Sequence, residues 1–353
     1  MKKLKVYIFA YAKNNLGDDI FLKILVEKYP DINFYINIEQ EKYMTLLHKY
    51  PNVTIIKAKN KDFDKINPGS YDAVINIGGS IFIENTSAIE RIKEFKEFIL
   101  KCNQIKIPFF YVSSNFGPYQ TQQYLDLTKQ TLSLATDVCF REKYSYELFK
   151  KNPNARWAPD LIFSSDYPKQ EKEKNTLGIS IIHLKNRQLK EEQEYYKVIA
   201  NHIKRYQEKG NKIYLFSFCE YEQDEEGVKE VEKYLEQEEK KKLTVMTYQG
   251  DVNSFLESYS KMEKMICTRF HSMILSAIMQ QKFYVISYSK KLEHVIEDLS
   301  LCEKYSKIEE LTEDFLIEEQ DFKQLPEEKI EILKRKAQEQ LQKFDEWKNL
   351  QKR

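Results

Sequence analysis

KMICTRFHSMILSAIM, residues 264–279, starts as an apolar run and ends as an apolar helix, and the change falls on Thr268-Arg269-Phe270-His271-Ser272. Lys264–Thr268 is nearly unbroken in its hydrophobicity, which is how a strand covered on both faces reads. Ser272–Met279 keeps small and apolar residues at helical spacing. Strand, polar junction, helix is the repeating unit of a parallel α/β sheet. The same unit recurs upstream. Strands are expected at Val6–Ala10, Asn33–Ile38, Val53–Lys57, Ala73–Ile77, Phe109–Ser113 and Asp137–Arg141, with helices over Ile20–Tyr29, Glu90–Cys102 and Tyr124–Leu134.

After Tyr167–Thr176, a charged run with a proline and no apolar period, the alternation restarts. Strands are read at Leu177–Ile182, Lys212–Phe218, Leu243–Met246 and Phe283–Ser287, with helices at Glu191–Lys209, Glu225–Leu235 and Val252–Ser260. Pro326–Leu350 spaces Ile330, Leu333, Ala337, Leu341, Phe344 and Trp347 as one long amphipathic helix. The expectation is α/β: two Rossmann-like domains facing a cleft, at 1–166 and 177–310, with a helical extension over 311–353.

Composition narrows the function. The 353 residues carry 56 basic and 55 acidic side chains, a formal charge of +1, so no global field draws nucleic acid. The apolar run near the amino end, Val6–Ala12, leads into a Gly/Asp turn rather than a cleavage site. No stretch approaches the roughly 20 apolar residues that span a bilayer. Cys102, Cys139, Cys219, Cys267 and Cys302 lie far apart and pair with no histidine, so neither a metal site nor a disulfide framework is expected. A cytoplasmic place, with at most peripheral contact at the inner face of the membrane, follows. A dehydrogenase is disfavoured, because no Gly-x-Gly-x-x-Gly follows the first strand.

In open α/β sheets ligands bind beyond the carboxyl ends of strands. Five junctions there carry unusual residues. Asn14-Asn15-Leu16-Gly17-Asp18-Asp19 combines a glycine for close backbone approach with an acid that could cap the helix. Ile77-Gly78-Gly79-Ser80 could leave room for a ligand. Ser113-Ser114-Asn115-Phe116-Gly117-Pro118 is a polar loop, and Phe140-Arg141-Glu142 delivers an arginine that could serve a ligand or pair with an acid as scaffold. Each also fits an ordinary turn. The junction quoted first says most: Arg269, His271 and a helix opened by Ser272 together suit a phosphate or carboxylate.

In order along the chain these places resemble the polysaccharide pyruvyl transferase family. Asn15-Leu16-Gly17-Asp18-Asp19 resembles its opening turn, with Asp19 where glutamate is usual. Asp72…Gly78-Gly79-Ser80 resembles its Asp…Gly-Gly-Gly pattern, with Ser80 for the third glycine. Gly117-Pro118, Arg141-Glu142-Lys143-Tyr144-Ser145, Pro159-Asp160, Arg269-Phe270-His271 through Ala277, and Tyr288-Ser289-Lys290-Lys291 follow. The resemblance implies a GT-B-like fold whose last helix returns to the first domain.

It further implies a transferase that moves pyruvate from phosphoenolpyruvate to hydroxyls of a cell-surface glycan, an exopolysaccharide or its lipid-linked precursor, with no cofactor beyond that donor. Arg269 and Arg141 would clamp phosphate and carboxylate, helped by Lys291 and Ser272. His271 would move protons and Asp18 would orient or deprotonate the acceptor hydroxyl, beside Asn15, Gly17, Gly78, Gly79, Ser80 and Asn115. Two other readings stand: a GT-B glycosyltransferase using a nucleotide-sugar, and a non-catalytic partner in glycan assembly.

Overall fold

The structure, a computed structural model, describes residues 3–59, 62–167, 170–184 and 192–352. The chain divides into two units. One comprises Met1–Ala12, Asp18–Ser165 and Ile332–Arg353, the other Lys13–Gly17 and Asp166–Glu331.

The first unit holds β1 (Leu4–Ala10), α1 (Leu16–Lys28), β2 (Ile32–Asn37), β3 (Val53–Ile56), β4 (Ala73–Ile77), α2 (Ala88–Gln104), β5 (Phe109–Ser114), α3 (Gln122–Leu132), β6 (Asp137–Phe140), α4 (Lys143–Phe149) and β7 (Ala155–Trp157). Its strands form a 7-stranded parallel sheet in the order β3-β2-β1-β4-β5-β6-β7. The central strand β4 is buried at every residue. On one face Tyr7, Phe9, Phe95, Phe98, Phe109 and Tyr111 pack together, with Phe9 edge-on to Phe95 at 5.3 Å and to Phe98 at 5.4 Å. Such pairs each add about 0.5–1.5 kcal/mol beyond burial.

The second unit holds β8 (Glu173–Ile181), α5 (Glu192–Glu208), β9 (Lys212–Ser217), α6 (Asp224–Glu232), α7 (Gln237–Lys240), β10 (Leu243–Thr247), α8 (Val252–Ser260), β11 (Met262–Cys267), α9 (Phe270–Ile278), β12 (Lys282–Ser287), α10 (Lys290–Leu299) and β13 (Tyr305–Lys307). They build a 6-stranded parallel sheet ordered β10-β9-β8-β11-β12-β13. The run expected as linker in fact contains the start of β8: Glu173, Lys174 and Asn175 are exposed, so the strand projects past its core and lacks an apolar signature. Residues 168–169 of that run, and residue 191 at the expected start of α5, lie outside the described residues.

The tail is not one helix. Strand β13 is followed by 3-10 turns and irregular chain until a helix begins at Glu327; the second unit runs to Glu331, and the first resumes at Ile332. Helices α11 (Glu327–Ala337) and α12 (Gln342–Leu350) are separated by a 3-10 turn at Gln338–Leu341. That turn delivers the buried Gln340 amide to the strand ends of the first sheet: Oε1 accepts from Ser113 N at 2.8 Å, and Nε2 donates to Ala158 O at 2.7 Å. Phe344 then packs on Tyr29 and Phe110 at 5.0 and 5.4 Å. Among the described residues no helix is long and apolar enough to cross a membrane.

Candidate active site

Each sheet reverses its winding once, between β1 and β4 in the first unit and between β8 and β11 in the second. These are the switch points where ligands enter such sheets. The unusual junctions of the sequence fall at and beside them.

In the first unit, Gly78 has φ +147, a backbone that side chains rarely adopt, and a Cβ there would lie 3.4 Å from Asp18 Oδ1. Gly79 does not open the gap for a ligand that the sequence allowed. A Cβ on it would fall on the Arg141 guanidinium, whose flat face covers this backbone. Arg141 itself is not a free clamp. It is 2% exposed, its Nη1 donates to Asp160 Oδ2 at 2.9 Å and its Nη2 to Asn115 Oδ1 at 2.8 Å. Asp160 also accepts from Ile162 N at 2.9 Å, so the Pro-Asp element is the counter-ion of the Arg-Glu element.

Glu142 turns the other way: it accepts from Ser145 Oγ at 2.6 Å, and that hydroxyl accepts from Phe116 N at 2.7 Å, bracing the Phe116-Gly117-Pro118 turn. Ser80 Oγ reaches Asn115 Oδ1 at 3.5 Å. Asn115 Nδ2 and Ser114 Oγ, both buried at the end of β5, have no partner among the described residues.

The turn after β1 also differs from expectation. Asn15, not an aspartate, caps α1, its Oδ1 accepting from Gly17 N at 3.1 Å. Neighbouring bonds tie Lys13–Gly17 into the second unit: Leu16 N donates to Phe218 O at 3.0 Å, Glu220 N to Asn14 O at 3.2 Å, and Asn14 Nδ2 to Glu220 Oε2 at 2.7 Å. Gly17 thereby forms the bed of His271, and a Cβ on it would fall inside the imidazole ring. His271 is half-buried, edge-on to Phe270 at 5.0 Å.

Helix α9 begins two residues earlier than the sequence suggests, at Phe270 with Arg269 as its N-cap residue. Ser272 is consequently inside the fold and opens no anion site. Its Oγ meets Ser180 Oγ at 2.7 Å, and Ser180 Oγ accepts from Thr268 N and Arg269 N at 2.8 and 3.2 Å. The bond welds the β8 and β11 ends together. Lys291, the second residue of α10, places Nζ 6.0 Å from the Phe270 ring centre.

Arg269 likewise does not stand out as bare positive charge. It is buried, with Nη1 donating to Glu222 Oε2 at 2.6 Å and Nη2 to Asp224 Oδ1. Asp224, fully buried, accepts on Oδ2 from Phe218 N and Cys219 N at 3.1 and 2.9 Å. Burial pushes its carboxyl upward against the pull of Arg269. Burial also works against the guanidinium charge, yet Asp224 and then Glu222 hold Arg269 firmly protonated.

Four neighbouring strands of this sheet have at or just past their ends a polar atom without a partner among the described residues: Ser217 Oγ closing β9, His183 Nδ1 after β8, Arg269 Nε after β11 and Ser289 Oγ after β12. His183, Glu222 and Asp224 were not singled out from the sequence. The signal was present for Asp224, which opens a helix just past the end of β9, as Arg269 does past β11.

Fold and strand-end chemistry define a protein of two parallel-sheet α/β units in the GT-B class. A sequence profile described as "Polysaccharide pyruvyl transferase" matches residues 15–290, well over half of the chain, and the chain belongs to that family of transferases. The match takes in Asp18, Arg141, Arg269 and His271 and stops one residue short of Lys291.

Solved structures support the fold alone. The UDP-GlcNAc 2-epimerase from Neisseria meningitidis bound to UDP-GlcNAc superposes with TM-score 0.54 at 10% identity, over 86% of each chain. The UDP-GlcNAc 2-epimerase from Methanocaldococcus jannaschii gives 0.52 at 9% identity, over 85% of this chain and 92% of its own. UGT89C1 of Arabidopsis thaliana, complexed with UDP-L-rhamnose, gives 0.52 at 10% identity over 98% of each.

Proposed function

We propose that this protein transfers pyruvate from phosphoenolpyruvate to two hydroxyls of a sugar in a cell-surface glycan or its precursor, leaving a ketal and inorganic phosphate. The observation that carries this reading is the buried Arg269 Nε–H, without an acceptor among the described residues, at a switch-point strand end; His183 Nδ1, past the end of the adjacent strand, has no partner among them either. An orphaned buried donor costs about 1–3 kcal/mol, and an oxygen of a carboxylate or phosphate repays that cost. A second unfilled polar atom on the next strand suits a ligand with more than one polar group.

His271, half-buried on its glycine bed, is assigned the proton steps. Its imidazolium delivers a proton to the terminal methylene carbon of the enol, making a methyl group. Positive character builds on the central carbon, and the first sugar hydroxyl bonds there as its proton returns to the imidazole. The second hydroxyl then bonds to the same carbon while the carbon–oxygen bond to phosphate breaks, its proton leaving with the phosphate. Lys291 adds positive charge to the donor side.

Phosphoenolpyruvate at a hundred times its Kd should stabilise the protein by about 2.7 kcal/mol in a thermal-shift titration. UDP and GDP should not, and stabilisation by them instead would favour a nucleotide-sugar enzyme on the same fold. Phosphate release against an acceptor panel reads turnover directly. His271→Ala should lower it by a factor of about 10²–10⁴, the usual worth of a positioned acid/base. Arg269→Lys should also lower turnover strongly, because it keeps a charge for Asp224 but loses the planar fork. If both variants transferred pyruvate at the wild-type rate, the assignment would be wrong.

A further inference from the structure

His183 holds the place past β8 that Arg269 holds past β11, two residues beyond the last residue of the strand. These two strands flank the switch point of the second sheet. No step of the transfer assigned above uses the His183 imidazole.

The backbone at this histidine is built in. His183 N donates to Asp224 Oδ1 at 3.4 Å, and the next amide, Leu184 N, donates to the Tyr196 hydroxyl at 3.1 Å, both in the interior. Asp224 Oδ1 also accepts from Arg269 Nη2. One buried carboxylate oxygen therefore joins the main chain of His183 to the guanidinium of Arg269. The two residues are set beside each other before any ligand arrives, which is the arrangement a preorganised site needs.

The ring is held less completely. His183 is 6% exposed, and its Nδ1 has no partner among the described residues. Packing gives no reason for a histidine here, because leucine has nearly its volume and leaves no buried polar atom unmet. Arg269 Nε–H, at the adjacent strand end, is unfilled in the same way. Adjacent strands lie about 4.8 Å apart. A phosphoryl group, with three terminal oxygens pointing apart, can meet groups from two such ends. A carboxylate has two oxygens in one plane and suits a single guanidinium edge.

We propose that His183 is a second donor-binding residue, whose Nδ1–H bonds a phosphoryl oxygen of the same ligand that Arg269 Nε–H receives. This inference rests on the donor reading above and adds to it which end of the donor lies at the β8–β11 junction, namely the phosphate.

The test compares the wild-type chain with His183→Leu, His183→Asn and His183→Gln, with far-UV circular dichroism to verify folding. Inorganic phosphate, pyruvate and phosphoenolpyruvate are titrated into each by calorimetry, and KM and kcat are read separately. His183→Leu should weaken phosphate and raise KM for phosphoenolpyruvate by about tenfold or more, the worth of one hydrogen bond to a charged group, while pyruvate binds as before. Its Tm without ligand should hold or rise, because the unmet nitrogen is gone. Asparagine sets an N–H donor at the δ position and glutamine one bond further out. His183→Asn should therefore keep most of the phosphate affinity and His183→Gln should not.

Phosphate bound by His183→Leu as by wild type would overturn the inference and leave pyruvyl transfer standing. So would an equal weakening of phosphate and pyruvate with a lower Tm, since His183 would then be a strut of the junction. If phosphate weakened in His183→Leu and recovered in His183→Asn, but wild type never turned over phosphoenolpyruvate, the phosphate contact would stand and the donor reading would fall. If wild type bound neither phosphate nor phosphoenolpyruvate, both would fall.

Discussion

Gly17→Ala is expected to lower pyruvyl transfer by at least about a hundredfold, the low end of what a positioned acid/base contributes, while leaving the protein folded. One methyl group suffices because it would occupy the space of the His271 imidazole. The ring must leave its bed, and a proton donor displaced by an ångström no longer meets its carbon. The backbone at Gly17 lies in the first turn of α1 and is not among the positive-φ glycines. Alanine therefore costs little there and gains helix propensity. Thermal unfolding should move by a degree or two in either direction, while kcat collapses. A Gly17→Ala protein with wild-type kcat would remove His271 from the proton steps or show that its ring works from another position.

Asp160→Ala is expected to cost the first unit about 3–5 kcal/mol in denaturant unfolding, the range found when one partner of a buried ion pair is deleted. Asp160 is fully buried and Arg141 is 2% exposed, so the guanidinium loses a buried counter-ion. The same change deprives Ile162 N of its acceptor. The double variant Arg141→Met with Asp160→Ala should recover part of the loss, because the buried cation is removed together with its carboxylate. A loss below about 1 kcal/mol for Asp160→Ala, the level of an exposed pair, would mean that this pair is solvated.

Much of the fold was legible because parallel strands buried on both faces must be written in apolar letters. Ala73–Ile77 has the bounds that the sequence predicts, and Val252–Ser260 does as well. What escaped was short or atypical. β7 and β13 have three residues each with partly exposed patterns, and α4 and α10 lie in charged surroundings. The start of β8 carries charges because it runs beyond its core. The tail broke into two helices because Gln340 is needed at strand ends that its own apolar spacing cannot reveal.

The candidate site was legible in a similar, partial way. Glycine motifs and strand-end arginines mark where backbone comes close to something functional. They do not say what comes close, and here the arginine and histidine side chains lie where a ligand was expected. By itself the sequence determined where strands end, and that those ends present Gly17, Gly79, Arg141, Arg269 and His271. That information is local, carried by residue type and hydrophobic period. Only the tertiary structure decided the state of each group. Parallel strands bring together ends that are far apart in the chain, so Arg269 meets Asp224 and Arg141 meets Asp160. The balance of charge at such a junction belongs to its neighbours in space, which no single stretch of chain spells out.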